Sequence, residues 1–187
     1  DFYAFSYIQD STLAFFDDRG MSLKKAFLKA PVEYARISSG YTSSRVHPVT
    51  GQTKAHLGTD YAAPEGTPIW SVGDGVVLEA QYKQYNGNYV KVKHNDIVTT
   101  QYLHMSKIAE GIKPGVAVKQ GQTIGYVGST GLATGPHVCF RYWKNGVQVD
   151  HRQEKFESSD PIKEEIRADY EAYMAQMKER LDKIPVQ

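Results

Sequence analysis

From Thr67 to Tyr142 the chain is a succession of short strand-forming runs divided by turn signals, a pattern that argues for an all-β fold. Pro68-Ile69-Trp70-Ser71-Val72 meets Gly73-Asp74-Gly75 and resumes as Val76-Val77-Leu78-Glu79-Ala80. Gln81 to Tyr85 and Asn88 to Lys93 flank Asn86-Gly87, two residues that tolerate positive φ, so a hairpin is predicted there. Ile97 to His104 is a further strand. Two glycine-spaced segments, Val116 to Gly121 and Thr123 to Gly128, then lead to the loop Ser129-Thr130-Gly131 and a last strand ending near Tyr142. The expected architecture is a compact antiparallel sandwich, related to the barrel-sandwich folds.

The two ends differ from this middle. Residues 1–30 read as two aromatic-rich strands joined around Asp17-Asp18-Arg19-Gly20, a polar turn closed by glycine. Asp1-Phe2-Tyr3-Ala4-Phe5 resembles the inside of a strand, which predicts a fragment whose targeting segment has been lost. At the other end Asp160-Pro161 has the form of an N-cap followed by proline at the first helical position. Ile162, Ile166, Tyr170, Tyr173, Met177, Leu181 and Ile184 recur at helical spacing, predicting one amphipathic helix over 161–183. Its apolar stripe must be covered by the chain's own β-domain, by a second copy or by another domain. The predicted division is a truncated hairpin region with its lead-in (1–34), a central β-domain (35–150), and a linker with the helix (151–187).

Composition removes several classes of function. The 187 residues are 41% hydrophobic and 23% charged with a net charge of +1, which gives no ground for nucleic acid as a partner. No apolar run approaches the roughly 18 residues of a membrane-spanning helix. The single cysteine, Cys139, excludes an internal disulfide. None of the glycines is followed by Lys-Ser/Thr, so turns explain them better than a phosphate cradle.

The chemistry concentrates in three stretches. In Gly135-Pro136-His137-Val138-Cys139-Phe140-Arg141-Tyr142 the period of a strand puts His137 and Cys139 on one face. His56-Leu57-Gly58-Thr59-Asp60 offers a histidine and a carboxylate four residues apart, and Tyr102-Leu103-His104-Met105 adds another histidine. A lone cysteine in a strand is commonly just buried, and four-residue His/Asp spacing alone is weak. The combination in this order is specific. His47 and His94 sit beside turn signals and read as surface or locally bonded residues, although His47-Pro48 precedes His56 and Asp60 closely enough to line a cleft. His151 reads as a linker residue. Tyr102, Tyr126, Tyr142 and Trp143 include candidates for a groove wall, in a class of residue that is mostly core in β-domains.

His56-x-Gly58-x-Asp60-Tyr61-Ala62-x-Pro64, Tyr102-x-His104 and Gly135-Pro136-His137 together resemble the lysostaphin-type (LytM-like) zinc metallopeptidases, enzymes that cut peptide cross-links in bacterial cell walls. The resemblance runs from about Ser22 to Asp150, and its approach segment is similar to the Gram-negative, envelope-anchored branch. It implies one zinc ion held by His56, Asp60 and the second residue of a His-x-His pair, a position that Cys139 fills here. It further implies His137 as general base, His104 as stabiliser of the oxyanion or proton donor, and Arg45, His47 and Tyr102 as groove candidates. The implied substrates are peptidoglycan stem peptides or cross-bridges, D,D-linked by the same analogy, and the implied location is the cell envelope, periplasmic or extracellular. With Cys139 as ligand the protein would bring two negative charges to zinc instead of one, predicting a weaker hydrolase. The alternative is a catalytically silent wall-binding or regulatory module. A lipoyl- or biotinyl-carrier module would need a lysine flanked as in Met-Lys-Met or Asp-Lys-Ala, and neither sequence occurs.

Overall fold

The computed structural model describes residues 3–34, 36–46, 53–156 and 160–184. The chain forms two compact units, one of residues 1–26 and 155–187 and one of residues 27–154.

In the first unit β1 (Phe5–Gln9) and β2 (Thr12–Phe16) pair as an antiparallel hairpin. Its turn is Asp10-Ser11, both at positive φ (52° and 59°), as the two-residue turns that match strand twist require. The turn expected at Asp17–Gly20 instead follows the second strand. There the Asp17 carboxylate accepts hydrogen bonds from the amides of Arg19 and Met21, and Phe16 bridges to Ser22. An isolated hairpin is marginal in water, and α1 (Glu164–Asp182) covers this one. Phe5, Phe16, Ile162 and Tyr170 form the buried cluster, with Tyr7, Ala14, Ile166, Tyr173 and Met177 against it. The Tyr170 hydroxyl donates to the carbonyl of Asp17 at 2.6 Å. The helix begins three residues later than Asp160-Pro161 suggests. The Ile162 amide donates to Gly20 O, and that of Lys163 to the Gln9 side chain, so tertiary partners hold this stretch extended.

The second unit is built from β3 (Arg36–Ser39), β4 (Thr42–Val46), β5 (Thr53–His56), β6 (Thr59–Ala62), β7 (Pro68–Trp70), β8 (Gly75–Lys83), β9 (Gly87–Lys93), β10 (Val98–Met105), β11 (Lys107–Ile108), β12 (Ala117–Val118), β13 (Thr123–Tyr126), β14 (His137–Lys144) and β15 (Val147–Val149). The main sheet runs β12-β8-β9-β10-β14-β6-β3, with β15 also on β14; β11-β13-β7 and β4-β5 make two smaller sheets. Every pairing is antiparallel. This is the all-β architecture expected. A hairpin joins β8 to β9 as predicted, but its turn is Gln84-Tyr85-Asn86, and Gly87, at φ 65°, is already the first residue of β9, paired with Lys83. Ile69, Val72, Val77, Val90, Val92, Ile124, Val127, Val138 and Phe140 fill the core. The central strand β10 is buried on both faces almost throughout. No helix of the described residues is long and apolar enough to cross a membrane.

Burial on both faces corrects one expectation at once. Tyr102 does not line a groove: it is fully enclosed, and its hydroxyl accepts from the Val72 amide and the Thr100 hydroxyl. His151, expected in a linker, is also corrected. It opens a single 3₁₀ turn, lies only 2% exposed, sits 2.8 Å from the Tyr61 hydroxyl through Nε2, and meets Phe140 edge-on.

Burial pushes the pKa of His151 down from 6.5 to about 4. The unfolded chain therefore binds the proton first, so this histidine's contribution is whole above 6.5 and is lost as the pH falls toward about 4. The loss amounts to at most about 3 kcal/mol. Urea unfolding of wild type and His151→Gln across that window should give a steeper acid loss for wild type; parallel curves would refute a neutral buried His151.

Candidate metal centre

His56 closes β5, and Asp60 lies in β6, a strand of a different sheet. The chain passes between them at Gly58, where a Cβ atom would stand 3.0 Å from Phe140 O and 3.1 Å from both Cys139 Sγ and Arg141 Cγ. A side chain here would press on the β14 backbone and on Cys139, so its neighbours would have to give by a few tenths of an ångström. In β14, Cys139 pairs with Asp60 and His137 with Ala62, so the strand period carries His137 and Cys139 to the side where Asp60 waits.

The sequence-predicted residues converge. His56 Nε2 lies 3.0 Å from Asp60 Oδ1 and 3.5 Å from Cys139 Sγ, and one ligand-type atom from each of the three falls within 4.8 Å of the others. His137 Nε2 is 3.9 Å from Asp60 Oδ1, and the rings of His104 and His137 are 4.8 Å apart at their centroids. Cys139, short as it is, reaches the cluster. Of the other expected residues, the side chain of Arg45 and all of His47 lie outside the described residues.

Each histidine is oriented by the same device. His56 Nδ1 bonds the carbonyl of Gly40 at 3.0 Å, His104 Nδ1 that of Thr130 at 2.8 Å, and His137 Nδ1 that of Gly135 at 2.8 Å. A carbonyl can only accept, so Nδ1 carries a proton and Nε2 is the atom each ring turns to the site; at His56 that Nε2 donates to Asp60 in this structure, and it would present a lone pair only once a metal ion took the place of that proton. His104 is held further by its backbone. It sits at φ 65° at a bulge in β10, and its amide donates to Asn86 O in the β8–β9 turn. Thr130, which takes the ring proton, is fixed by hydrogen bonds from its hydroxyl to Met105 O and from the Asn88 amide to that hydroxyl.

Burial and neighbours set the charges. Burial pushes the pKa of Asp60 up, but the hydrogen bond and charge of His56, the charge of His137 and a hydrogen bond from Cys139 outweigh it, and the carboxyl stays below its ordinary value. Burial, reinforced by the Asp60 charge, pushes the Cys139 thiol up to about 12, while Arg141 pulls against both. Burial brings His104 down to about 4, against the help of Thr130 O. His104 is thus a neutral acceptor at neutral pH, and can donate from Nε2 only after taking a proton.

The cluster fits zinc. Bonds of about 2.0–2.3 Å to a tetrahedral ion place ligand atoms roughly 3.3–3.8 Å apart; the 3.5 Å between His56 and Cys139 falls in that range, the 3.0 Å between His56 and Asp60 is slightly shorter, and no separation among the three exceeds 4.8 Å. The donor set of one imidazole, one carboxylate and one sulfur leaves a fourth position open. Two residues beyond the expected set matter here: Thr130, a loop residue without ionisable chemistry, and Arg141, which shares the face of His137 and Cys139 and reads in sequence as an ordinary charged strand residue.

Residues 54–151 match Peptidase family M23. The peptidoglycan DD-endopeptidase ShyC of Vibrio cholerae is 43% identical over 177 residues, covering 95% of this chain. The chain spans 40% of ShyC's length. Among solved structures, a zinc-containing peptidase from Vibrio cholerae superposes with a TM-score of 0.66 at 39% identity, covering 82% of this chain and 47% of that one. The catalytic domain of lysostaphin from Staphylococcus simulans gives a TM-score of 0.54 at 32% identity over 63% and 89%.

The tight crossover yields a direct test. Gly58→Ala should weaken binding of a divalent metal at least about tenfold by displacing the ligands, with the far-ultraviolet circular dichroism of the folded protein retained. Competition against a chromogenic chelator reads the affinity, and an unchanged value would show that the Gly58 passage does not set the ligand positions.

Proposed function

The chain belongs to peptidase family M23, and on that premise we propose that it is a metalloendopeptidase that hydrolyses peptide cross-links of bacterial peptidoglycan. In this reading His56, Asp60 and Cys139 hold one zinc ion, and His137 and His104 move protons. The observation that carries it is the approach of three ligand-type atoms to within 4.8 Å beside two further imidazoles that also present Nε2. The zinc content of one structural neighbour supports the choice of metal. The DD-endopeptidase relative supports a D,D-cross-bridge as substrate and the cell envelope as the place of action.

Zinc, when bound, supplies a Lewis acid for the scissile carbonyl and brings the pKa of coordinated water toward about 7. The residues supply the rest. His137 Nε2, whose ring is fixed through Gly135 O, accepts the proton of the attacking water and, as an imidazolium, returns it to the leaving amine. His104, neutral with its Nε2 lone pair turned to the same space, is a second acceptor and becomes a donor to the oxyanion once protonated. Asp60 remains ionised because its neighbours offset its burial. Cys139, as a thiolate, adds a second negative charge beside Asp60 and lowers the electrophilicity that a neutral ligand would allow.

A second reading, a wall-binding module without catalysis, draws on one observation: the buried Cys139 thiol holds its proton strongly, with its pKa pushed up to about 12, and hydrogen-bonds Asp60. X-ray absorption at the zinc edge separates the two. One zinc per chain with a sulfur neighbour near about 2.3 Å that disappears in Cys139→Ala, together with cleavage of cross-linked muropeptides, is the expected result. No zinc in a folded protein, or zinc without cleavage, would favour the silent module. In the enzyme reading Cys139→His should raise kcat by about tenfold, a barrier change of about 1.4 kcal/mol.

A further inference from the structure

We propose that Gln101, Lys91 and Trp143 form a subsite beside the metal cluster that takes a free carboxylate of the peptide substrate, with the aliphatic stem of that group against Trp143. This subsite rests on the peptidase reading above, and it names which chemical group of the substrate is recognised.

Strand register builds it. Gln101 in β10 stands opposite Arg141 in β14 and Lys91 in β9, and Lys91 stands opposite Glu79 in β8, so the four form one row across the main sheet. Leu103, two residues on from Gln101, pairs with Cys139. The row therefore faces the same side as the candidate ligands and lies about 7 Å further along the strands. Gln101 is its deepest member. It is 6% exposed, and among the described residues its side-chain amide makes no hydrogen bond, although a buried amide normally has a partner. Lys91 Nζ lies over the half-buried Trp143, 5.0 Å from the ring centroid, and 3.9 Å from Glu79 Oε1. The other oxygen of that carboxylate already accepts from Tyr89, Gln81 and Lys83, with Lys83 Nζ at 3.3 Å. Two ammonium groups thus share one carboxylate, and the group keeps a net positive charge. The Lys91 side chain is 28% exposed, so a ligand can reach its charge.

The ligand follows from these groups. Gln101 Nε2 and Lys91 Nζ are donors, and a carboxylate accepts from both at once. The indole beside them gives apolar surface to the methylene groups behind such a carboxylate, surface that a small inorganic anion would not use. A row about 7 Å from the ligands is about two residues away along an extended peptide. The carboxylate taken there belongs to a stem-peptide residue near the scissile bond and is distinct from the reacting carbonyl.

The test uses a purified cross-linked muropeptide dimer with its stem carboxylates free or converted to amides. Cleavage is followed in the wild type, and binding is measured by calorimetry in a His137→Gln background that suppresses turnover. Amidation should weaken binding about tenfold, and Lys91→Met, which keeps an unbranched stem against Trp143, should weaken binding of the free acid by about the same factor. In Lys91→Met, amidation should cost less than about threefold, because both changes remove one interaction. Gln101→Met should also weaken binding of the free acid while raising the urea midpoint of the unliganded protein, since it removes an unpartnered buried amide. Binding that ignores amidation, equal losses on both dimers in Lys91→Met, unchanged binding in Gln101→Met, or no binding of either dimer overturns the subsite. Cleavage of the dimer by wild type in any of those cases leaves the peptidase reading intact. Carboxylate-dependent binding of a dimer that zinc-loaded wild type does not cleave overturns the peptidase reading and upholds the subsite.

Discussion

Three imidazoles that each commit Nδ1 to a backbone carbonyl have one atom left to offer, and the rest of the site depends on that constraint. The carbonyls of Gly40, Thr130 and Gly135 belong to loops, so ring orientation is set by loop backbone, while the positions of the Cα atoms are set by strands. Neither alone would suffice. A strand places His137 on the correct side of the sheet, but its free rotation about two side-chain bonds would let Nδ1 or Nε2 face Asp60. The carbonyl removes the choice and fixes the tautomer at the same time.

The register of β6 against β14 is the second requirement. Because Cys139 stands opposite Asp60 and His137 opposite Ala62, a slip of one residue would turn both His137 and Cys139 to the other face. Burial makes such a slip costly. Val138 and Phe140, which alternate with them, are fully enclosed in the core, and exchanging the faces would bury polar groups and expose these side chains together. The hydrophobic core and the candidate ligands of this strand are therefore specified by the same alternation.

This also explains which parts of the molecule can be read from sequence. That His56, Asp60, His104, His137 and Cys139 lie together is legible because strand period and short spacing are local properties, and the β8–β9 hairpin is legible because Gly87 supplies the positive φ it needs, although the turn itself closes one residue earlier, over Gln84-Tyr85-Asn86. The missed features depend on distant partners. Asp160-Pro161 carries a good helix-start signal, yet Gly20 O and the Gln9 side chain capture the next amides and delay the helix to Glu164. Asp17–Gly20 has turn composition and does turn, but the hairpin closes earlier at Asp10-Ser11, which carries no glycine to announce it. Tyr102 lies in a strand buried on both faces, where alternation cannot tell groove from core. His151 looks polar and terminal, and only the far-off Tyr61 and Phe140 make it interior.

Cys139 draws these threads together, because the protein satisfies it with a proton in the structure described here and with a cation in the function proposed. Its thiol is buried, faces an ionised Asp60 and holds its proton up to about 12, so metal binding must displace that proton and is coupled to its release. Asp60 acts on both sides of this exchange. Its negative charge strengthens the grip of the thiol on the proton, and the same charge attracts the divalent ion that removes it. Which effect dominates is decided by charge: a dication gains more from Asp60 and the sulfur together than a proton gains from the sulfur alone, provided that the Nε2 lone pair of His56 is also presented. That proviso is met by the carbonyl of Gly40, nearly a hundred residues away from Cys139 in the chain.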